Sequence, residues 1–450
     1  MIRDLTEGNP QNLLWRFTVP MFISVIFQQL YNIADSVIAG KFAGEDALAA
    51  VGASYPITMI FMAIAVGSNI GCSVVISQFF GAKRYDQMKT AVYTTLISAT
   101  ALSVILTIAG LLGSRGLMRM IQTPENIFSS GDLYLRIYIA GFLFLFLYNV
   151  ATGIFTSLGD SKTPLYFLIG SSLGNIVLDY WFVAGFGWGV AGVAWATFIA
   201  QGIACVLALV TMVVRLRSVK TEKKPVVFSM EMLGRISLIA VPSILQQSFI
   251  SIGNIFVQGL INSFGSSVIA GYSAAVKLNT FTLTSFTTLG NGISSFTAQN
   301  IGAGKVERVK EGMKGGVKLG IILTVPFLVA FFGFGSQMMS LFMKEDSTVA
   351  MQTGVEFLRI VSPFYIVVAM KLVSDGVLRG SGSMKEFMVA TFSDLVLRVV
   401  LSFVFAGFFG VTGVWLSWPV GWVTGSVLSL WYNRKVTKRL EVRLAQSPQA

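Results

Sequence analysis

The sequence has no histidine and only two cysteines among its 450 residues. Without histidine, Ser-His-Asp triads, histidine-based acid–base chemistry and most transition-metal sites are excluded. Cys72 and Cys205 each lie inside an apolar segment, so we expect small core residues rather than a disulfide or a zinc site. The G-x-x-x-x-G-K-S/T loop that holds nucleotide phosphates is also missing. We therefore expect no enzyme, no cofactor and no ATP-driven motor within this chain.

Charged residues are scarce as well, at 12% of the chain, whereas soluble domains carry about 25%. Hydrophobic residues make up 54%, and the mean hydropathy is +0.73. The missing charge must be replaced by apolar surface that faces the lipid bilayer. Apolar segments follow one another along nearly the whole chain, which leaves no room for a separate soluble domain. We expect no cleavable signal peptide, because the first apolar segment lacks a clear cleavage site.

Twelve segments are long and apolar enough to cross a membrane, since a transmembrane helix needs about 20 mostly apolar residues. They lie near residues 13–38, 52–78, 91–113, 134–157, 165–184, 190–214, 235–262, 268–298, 317–334, 354–378, 387–408 and 412–433. The segments around 243–262 and 272–300 are rich in Ser, Thr, Asn, Gln and Gly, so we expect them to face other helices or water. The sequence thus predicts an all-α integral membrane fold with twelve transmembrane helices.

The basic residues between the spans indicate the orientation of the chain. Most of them fall in segments that are cytoplasmic if the N-terminus is inside, and few fall in the opposite loops. Cytoplasmic loops carry an excess of Lys and Arg, so both termini are predicted to be cytoplasmic in the cell inner (plasma) membrane. The net charge of +12 is spread along the chain rather than gathered in one patch. We therefore expect no nucleic-acid partner.

The two halves of the chain resemble each other around a basic linker. A Val-Pro pair occurs near the start of each half, at Pro20 and Pro242, and an asparagine follows each proline twelve residues later. Three further pairs match, namely Ser77–Ala82 with Ala298–Ala303, Gly159–Lys162 with Gly382–Lys385, and Gly189–Val193 with Gly410–Val414. We predict an N-lobe at 1–214, a cytoplasmic linker at 215–234 and a C-lobe at 235–450.

Each predicted lobe holds six spans. Because six is an even number, both lobes enter the membrane in the same direction, and their pseudo-two-fold axis is predicted to run along the membrane normal. Internal repeats of this kind are typical of transporters, in which two lobes rock about a central site.

The most distinctive motifs are Asn32–Asp35 with the Gly40–Gly44 turn, Gln78 with Gly81 and Ala82, Gln299–Gly304, and Leu378–Gly382. Together they resemble the multidrug and toxic compound extrusion (MATE) family, over the chain from Leu13 to Tyr432. The acid in the first helix is similar to the branch named after the DNA-damage-inducible protein F. The resemblance implies efflux of bulky, often cationic or amphipathic organic compounds in exchange for H⁺ or Na⁺.

Charged side chains inside a bilayer are costly, so they are functional candidates. Asp35 in the first span and Asp179 in the fifth lie in the outer halves of their helices, at similar depth. Asn175 precedes Asp179 by one helical turn, Thr197 lies in the outer half of span six, and Asn149 lies near the middle of span four. Such an oxygen-rich set suits Na⁺, and two desolvated carboxyls facing each other can also hold a proton. The resemblance implies the same five residues for the cation-coupling network.

Three further residues of the first span are candidates. Pro20 removes a helical hydrogen bond and favours a kink, so we predict a hinge there that responds to ion binding at Asp35. The alternative is a static kink. Gln28 and Asn32 lie on the same helix and are predicted to contact substrate.

The predicted C-lobe differs from the N-lobe in its charges. The repeat places Val257 opposite Asp35, so the acid has no counterpart there. The C-lobe instead carries a predicted polar network of Lys277, Asp375, Asp394 and Arg398, with Lys371 nearby. Asp394 and Arg398 are spaced for an i,i+4 ion pair. The network is either structural or part of substrate binding or a cytoplasmic gate.

These features favour a secondary antiporter that exports small organic compounds by alternating access. A lipid-linked substrate flippase of the same superfamily is the alternative, although such flippases often have extra spans and cationic cavities. A membrane enzyme lacks a catalytic constellation, and a channel lacks a selectivity-filter signature. The coupling ion, H⁺ or Na⁺, and the cargo stay open, and no feature requires more than a monomer.

Overall fold

The computed structural model describes residues 3–43, 45–340, 342 and 348–446. Every regular element in these ranges is helical. The first half contains α1 (Pro10–Ile38), α2 (Glu45–Gly81), α3 (Tyr85–Met120), α4 (Glu125–Ala140), α5 (Phe142–Ser157), α6 (Lys162–Asp179) and α7 (Gly189–Ser218). The second half contains α8 (Met230–Asn262), α9 (Ser266–Gly302), α10 (Val306–Leu328), α11 (Gly335–Ser340), α12 (Thr348–Val361), α13 (Tyr365–Gly380), α14 (Met384–Phe409) and α15 (Val411–Gln446). Short π-helical turns follow α1, α6 and α10, at Ala39–Ala43, Tyr180–Gly185 and Val329–Gly333.

Each of the twelve predicted spans corresponds to one helix or to helices that follow one another. Within the described ranges, nine spans are long and apolar enough to cross a membrane, and α4 with α5 makes a tenth, bent by 46°. Helices α9 and α15 are as long but are not among these spans, and α9 is rich in Ser, Thr, Asn and Gly, as the composition of segment 272–300 indicates. Several helices extend beyond the predicted spans, because hydropathy marks only the part of a helix that lies in hydrocarbon. The all-helical membrane architecture is confirmed.

The chain divides into two compact units. The first unit contains Val19–Ser248 and residues 3 and 4, and the second contains Leu5–Thr18 and the chain from Phe249 onward. Helices α1 and α8 are therefore each divided, since the first turns of α1 pack in the second unit and the first turns of α8 pack in the first. The predicted lobes differ from these units at two segments. Residues 5–18 are predicted in the N-lobe but belong to the second unit, and residues 235–248 are predicted in the C-lobe but belong to the first. A hydropathy pattern does not show which unit an apolar helix packs against.

In the first unit, α2 packs on α3, α4 and α5, and α7 packs on α4, α5 and α6. Helix α5 approaches α2 closely at Gly153, where a Cβ atom would lie 2.4 Å from Asn69 Oδ1. Asp160 fixes the start of α6, because its Oδ1 accepts hydrogen bonds from the backbone N–H groups of Lys162 and Thr163. The same carboxylate forms an ion pair with Arg215 near the end of α7. These contacts set the register of α6 against α7.

In the second unit, α14 packs along α15, and α9 packs on α12 and α13. Glycines allow α9 and α13 to touch, since a Cβ atom at Gly376 would lie 2.3 Å from the carbonyl oxygen of Gly290. The apolar core of this unit is strongly aromatic. The Tyr272 ring stacks on Trp415 at 5.2 Å, and Phe357 meets Trp415 edge-on at 5.1 Å.

The N-terminal segment is bound by a motif at the end of α9. The Leu5 N–H donates to Gln299 Oε1 at 2.9 Å, and Asn300 Nδ2 donates to the Leu5 carbonyl at 3.2 Å. Arg308 adds a hydrogen bond from NH1 to the Gly8 carbonyl at 2.7 Å. The Gln-Asn pair of the Gln299–Gly304 motif therefore satisfies backbone groups that would otherwise be buried without partners.

Candidate functional site

Two acids meet inside the first unit. Asp35 lies one turn before the end of α1, and Asp179 is the last residue of α6. Asp179 is fully buried and Asp35 is half-buried. Their carboxyl groups lie close enough to interact with each other electrostatically. Two carboxylates held close together repel each other unless a proton or another cation is shared between them.

Polar groups from α1, α6 and α7 surround the acid pair. Asn175 lies one turn before Asp179, and its Nδ2 is 3.5 Å from Thr197 Oγ1 on α7. Thr197 also interacts with the Tyr31 hydroxyl, one turn before Asp35 on α1. Thr197 thus joins the helix of one acid to the helix of the other.

Several oxygens of this site have no hydrogen-bond donor. Among the described residues, Asp35 Oδ1, both carboxylate oxygens of Asp179 and Asn175 Oδ1 are buried without one. Neither acid forms an ion pair with a described basic side chain. Buried acceptors without partners are energetically costly. A proton or a bare monovalent cation would satisfy them, and this is the chemistry that the arrangement supports.

A small cavity of about 10 Å³ lies between α4 and α7, and Thr197 and Tyr134 of the site line it. Its polar lining comes from Tyr134, Tyr138, Thr197 and Gln201. One water molecule needs a cavity of about 10–15 Å³. The cavity therefore has room for about one water molecule next to Thr197.

Two π-helical turns lie next to the acids. Ala39–Ala43 follows α1 four residues after Asp35, and Tyr180–Gly185 begins directly after Asp179. The two turns contact each other through Phe42 and Tyr180, whose rings meet edge-on at 5.8 Å. π-Helical segments are rare and occur frequently at functional sites.

The other predicted residues of the first lobe lie apart from this cluster. Asn149 is half-buried, and its Nδ2 donates to the Leu145 carbonyl of its own helix at 2.9 Å. Gln28 and Asn32 are exposed on α1. Pro20 is buried inside an unbroken helix, next to the residue at which α1 enters the first unit.

The sequence interpretation missed Tyr31 and Tyr134. Both tyrosines lie close enough to Asp35 and Asp179 to interact with them electrostatically. Tyr31 precedes Asp35 by four residues, and this i,i+4 spacing was a usable signal. Tyr134 comes from α4, and only the packing of α4 on α7 brings it to the site.

The second unit holds a buried cluster of charges. Lys371 Nζ donates to Asp375 Oδ2 at 2.8 Å and lies 3.6 Å from Asp394 Oδ2. Ser429 Oγ donates to Asp375 Oδ1 at 2.5 Å. All four residues are buried. The lysine of the cluster is thus Lys371 rather than Lys277, which is exposed and has no ion pair among the described residues.

Arg398 does not form the expected i,i+4 ion pair with Asp394. Its guanidinium lies over the Trp418 ring, 4.4 Å from the centroid, while Asp394 turns towards Lys371. Arg398 remains close enough to attract the Asp394 carboxylate. The aromatic ring of α15 competes successfully for the guanidinium, because Arg stacks well on a Trp face.

Helical spans that enclose buried, uncompensated acids define a multi-pass membrane transporter with two similar halves. The model of the MatE family matches this chain twice, at residues 20–181 and at residues 242–404. The chain belongs to the MatE family, whose members are transporters rather than enzymes.

Two proteins of Bacillus subtilis (strain 168) are similar over almost their full length. The chain is 28% identical to "Probable multidrug resistance protein YoeA", covering 98% of each chain, and 29% identical to "Probable multidrug resistance protein YpnP", covering 96% of each. It is also 22% identical to "Multidrug export protein MepA" of Staphylococcus aureus (strain bovine RF122 / ET3-1), over 89% of this chain and 88% of that protein.

Solved structures show the same fold. A transporter of the MOP superfamily from Pyrococcus furiosus has a TM-score of 0.91 at 24% identity, with 97% of this chain and 98% of that chain covered. The outward-facing conformation of a multidrug resistance MATE family transporter gives the same TM-score, identity and coverage. The predicted fold class of twelve transmembrane helices in two lobes is confirmed.

Proposed function

We propose that this MatE-family transporter exports organic compounds, often cationic or amphipathic, in exchange for H⁺ or Na⁺. The names of its relatives support a drug-export role. The proposal places the protein in the plasma membrane with both termini in the cytoplasm, and a single chain carries out the cycle without a cofactor.

The acid pair of Asp35 and Asp179 supports the ion coupling. An antiporter needs an intramembrane group that gains and loses positive charge during the cycle. Asp179 is buried and Asp35 half-buried, the two carboxyls interact with each other, and neither has a basic partner among the described residues. Loading with a proton or a Na⁺ ion satisfies their free oxygens, and unloading leaves two carboxyls with unmet attraction for a cation. The pair is therefore suited to bind a coupling ion reversibly.

Coupling to cargo follows from the position of the pair on α1. Gln28 and Asn32 project from the same helix, one to two turns before Asp35. Ion binding at Asp35 changes how the end of α1 is held against α6 and α7. Pro20 provides a point at which α1 bends, because the N–H group that would hold the helix straight is missing there. The ion thus alters the surface that α1 presents to the cargo.

Export from proteoliposomes tests this function. We expect the purified wild-type protein to move a fluorescent cationic dye against its gradient when an H⁺ or a Na⁺ gradient is imposed, and the effective gradient identifies the ion. Asp35→Asn and Asp179→Asn are expected to reduce dye movement to the level of empty liposomes. Asp132→Asn is the matched control, since Asp132 is a buried acid of the same unit that pairs with Arg115 at 3.4 Å.

Two results would contradict the proposal. Full gradient-driven export by both Asn variants would remove the acid pair from the coupling step. No dye movement by folded wild-type protein under either gradient, combined with scrambling of a lipid-linked oligosaccharide, would favour the flippase alternative.

The hinge is tested separately by Pro20→Ala. The substitution restores the missing backbone donor, so we expect a straighter α1 and a lower export rate with unchanged ion binding. Pro56→Ala, inside α2, is the control for a general effect of proline removal. Full transport and coupling in Pro20→Ala would show that the kink is static.

A further inference from the structure

Lys371 lies inside the second unit with its ammonium group between two carboxylates. The Nζ atom is 2.8 Å from Asp375 Oδ2 and 3.6 Å from Asp394 Oδ2. Lys371 is only 4% exposed, and both acids are buried. Asp375 precedes the end of α13 and Asp394 lies on α14, so the ammonium joins two different helices. The two carboxylates replace the hydration that an ammonium group loses on burial.

Oxygen atoms of buried side chains surround the ammonium group and are held in place by their neighbours. Ser429 on α15 holds Asp375 through a 2.5 Å hydrogen bond. Asp394 Oδ1 is buried and has no hydrogen-bond partner among the described residues. Two glycines of α15 leave the necessary space. A Cβ atom would lie 2.6 Å from Lys371 Cε at Gly425 and 2.7 Å from Asp394 Oδ1 at Gly421.

The internal repeat shows that cations also replace neutral groups elsewhere in this unit. Continuing the match of Gly159 with Gly382 along the next helix pairs Asn175 with Arg398 and Asp179 with Ser402. Continuing the match of Gly189 with Gly410 pairs Thr197 with Trp418.

The contacts agree with this alignment. Asn175 touches Thr197 in the first unit, and Arg398 lies over Trp418 in the second. The position that corresponds to the first unit's acid-lined site therefore carries a guanidinium.

We propose that Asp375, Asp394 and Ser429 form a second site for a monovalent cation, and that the Lys371 ammonium occupies it permanently. The second unit then carries a covalently tethered cation in place of an exchangeable one. Its acids stay compensated throughout the transport cycle, and only the acid pair of the first unit exchanges an ion. The occupation of this site by Lys371 does not depend on the cargo or on the antiport mechanism, whereas ion exchange at the first unit's acid pair rests on the proposed function.

Removal of the ammonium should expose a site for free cations. Lys371→Met keeps most of the side-chain volume but lacks the terminal nitrogen, so it leaves a gap the size of a small cation between two carboxylates. The experiment uses the full-length protein in detergent with Asp35→Asn as background, which silences the first unit. Thermal unfolding is followed while NaCl, LiCl or KCl replaces choline chloride at constant ionic strength.

We expect the Lys371→Met protein to unfold at a lower temperature in choline chloride. One of the three alkali cations should raise its midpoint by about 5 °C at saturation, as expected for a ligand that binds only the folded state. The parent protein with Lys371 should show no such dependence. Adding Asp394→Asn to Lys371→Met should abolish the cation effect, because the site then keeps only one carboxylate.

A second variant covers the case in which Lys371→Met does not fold. Lys371→Ala leaves room for a whole alkylammonium ion. Adding methylammonium or propylammonium to the membranes and to the purification buffers should therefore restore folded Lys371→Ala protein. Three results would overturn the proposal: cation dependence that persists with Asp394→Asn, recovery of Lys371→Met only by acidification, or recovery of both variants only by Asp394→Asn. The last two would reduce Lys371 to an ordinary ion-pair partner.

Discussion

The acids of the two units differ in whether a basic side chain neutralises them. In the first unit, Asp35 and Asp179 interact with each other without a basic partner among the described residues. In the second, Lys371 binds both Asp375 and Asp394. An uncompensated pair gains stability by taking up a cation, whereas a compensated pair has nothing to gain. The two acid pairs lie at different positions of the repeat, since Asp35 corresponds to Val257 and Asp179 to Ser402. The two units therefore differ both in where their buried acids lie and in whether a basic side chain compensates them.

The largest effect is expected from giving the first unit a fixed cation of its own. Asn175→Lys places an ammonium four residues before Asp179, which copies the spacing of Lys371 and Asp375. The lysine should compensate the acid pair, so gradient-driven dye export should fall to the level of empty liposomes. Asn175→Met is the matched control of similar volume without charge, and it should keep part of the activity. Equal loss in both variants would attribute the effect to crowding.

The next largest effect concerns stability. Asp375→Asn removes the closest partner of a buried ammonium and should cost about 3 kcal/mol of unfolding free energy. Asp179→Asn in the first unit removes an acid that has no basic partner, so unfolding free energy should stay constant or rise. Chemical unfolding in detergent micelles measures both. A similar loss of unfolding free energy in the two variants would contradict the difference between the units, because both acid pairs would then depend on a basic partner.

A smaller effect is expected from filling the space beside Lys371. Gly425→Ala would place a methyl group 2.6 Å from Lys371 Cε and 2.8 Å from Asp394 Cβ, so it should cost about 2 kcal/mol through overpacking. Gly407→Ala on α14 is the control, because nothing lies within 4 Å of its Cβ position. The control should be neutral or slightly stabilising. Equal thermal unfolding midpoints for Gly425→Ala and Gly407→Ala would show that α15 moves to accommodate the added methyl group.

The smallest effect is expected at Trp418. Trp418→Phe keeps an aromatic ring but weakens the attraction for the Arg398 guanidinium, which should cost about 1 kcal/mol. The paired change in the first unit, Thr197→Val, should leave stability nearly constant and instead weaken binding of the coupling ion. Isothermal titration with the ion identified by the export assay measures the second effect. A stability loss confined to Thr197→Val would reverse the roles assigned to the two contacts.

Much of the candidate site follows from the sequence. Acids are rare in apolar spans, so Asp35 and Asp179 stand out, and the direction of their helices gives both the same depth. The i,i+4 spacing also places Asn175 with Asp179. Two residues, Tyr134 at the acid pair and Lys371 in the second unit's charge cluster, could not be assigned from the sequence. Tyr134 reaches the site only through the packing of α4, and the choice between Lys277 and Lys371 depends on which face of each helix is buried.

The sequence by itself determined the helical membrane fold, the number of spans and the duplication, because burial in lipid demands long apolar helices and a repeat is visible as repeated motifs. Tertiary structure decided the rest. Hydropathy does not distinguish one apolar neighbour from another, so it could not show that α1 and α8 are each divided between the units. Nor does spacing along one helix decide between competing partners on other helices. In the structure, Arg398 packs on Trp418 rather than pairing with Asp394, and Lys371 pairs with Asp394.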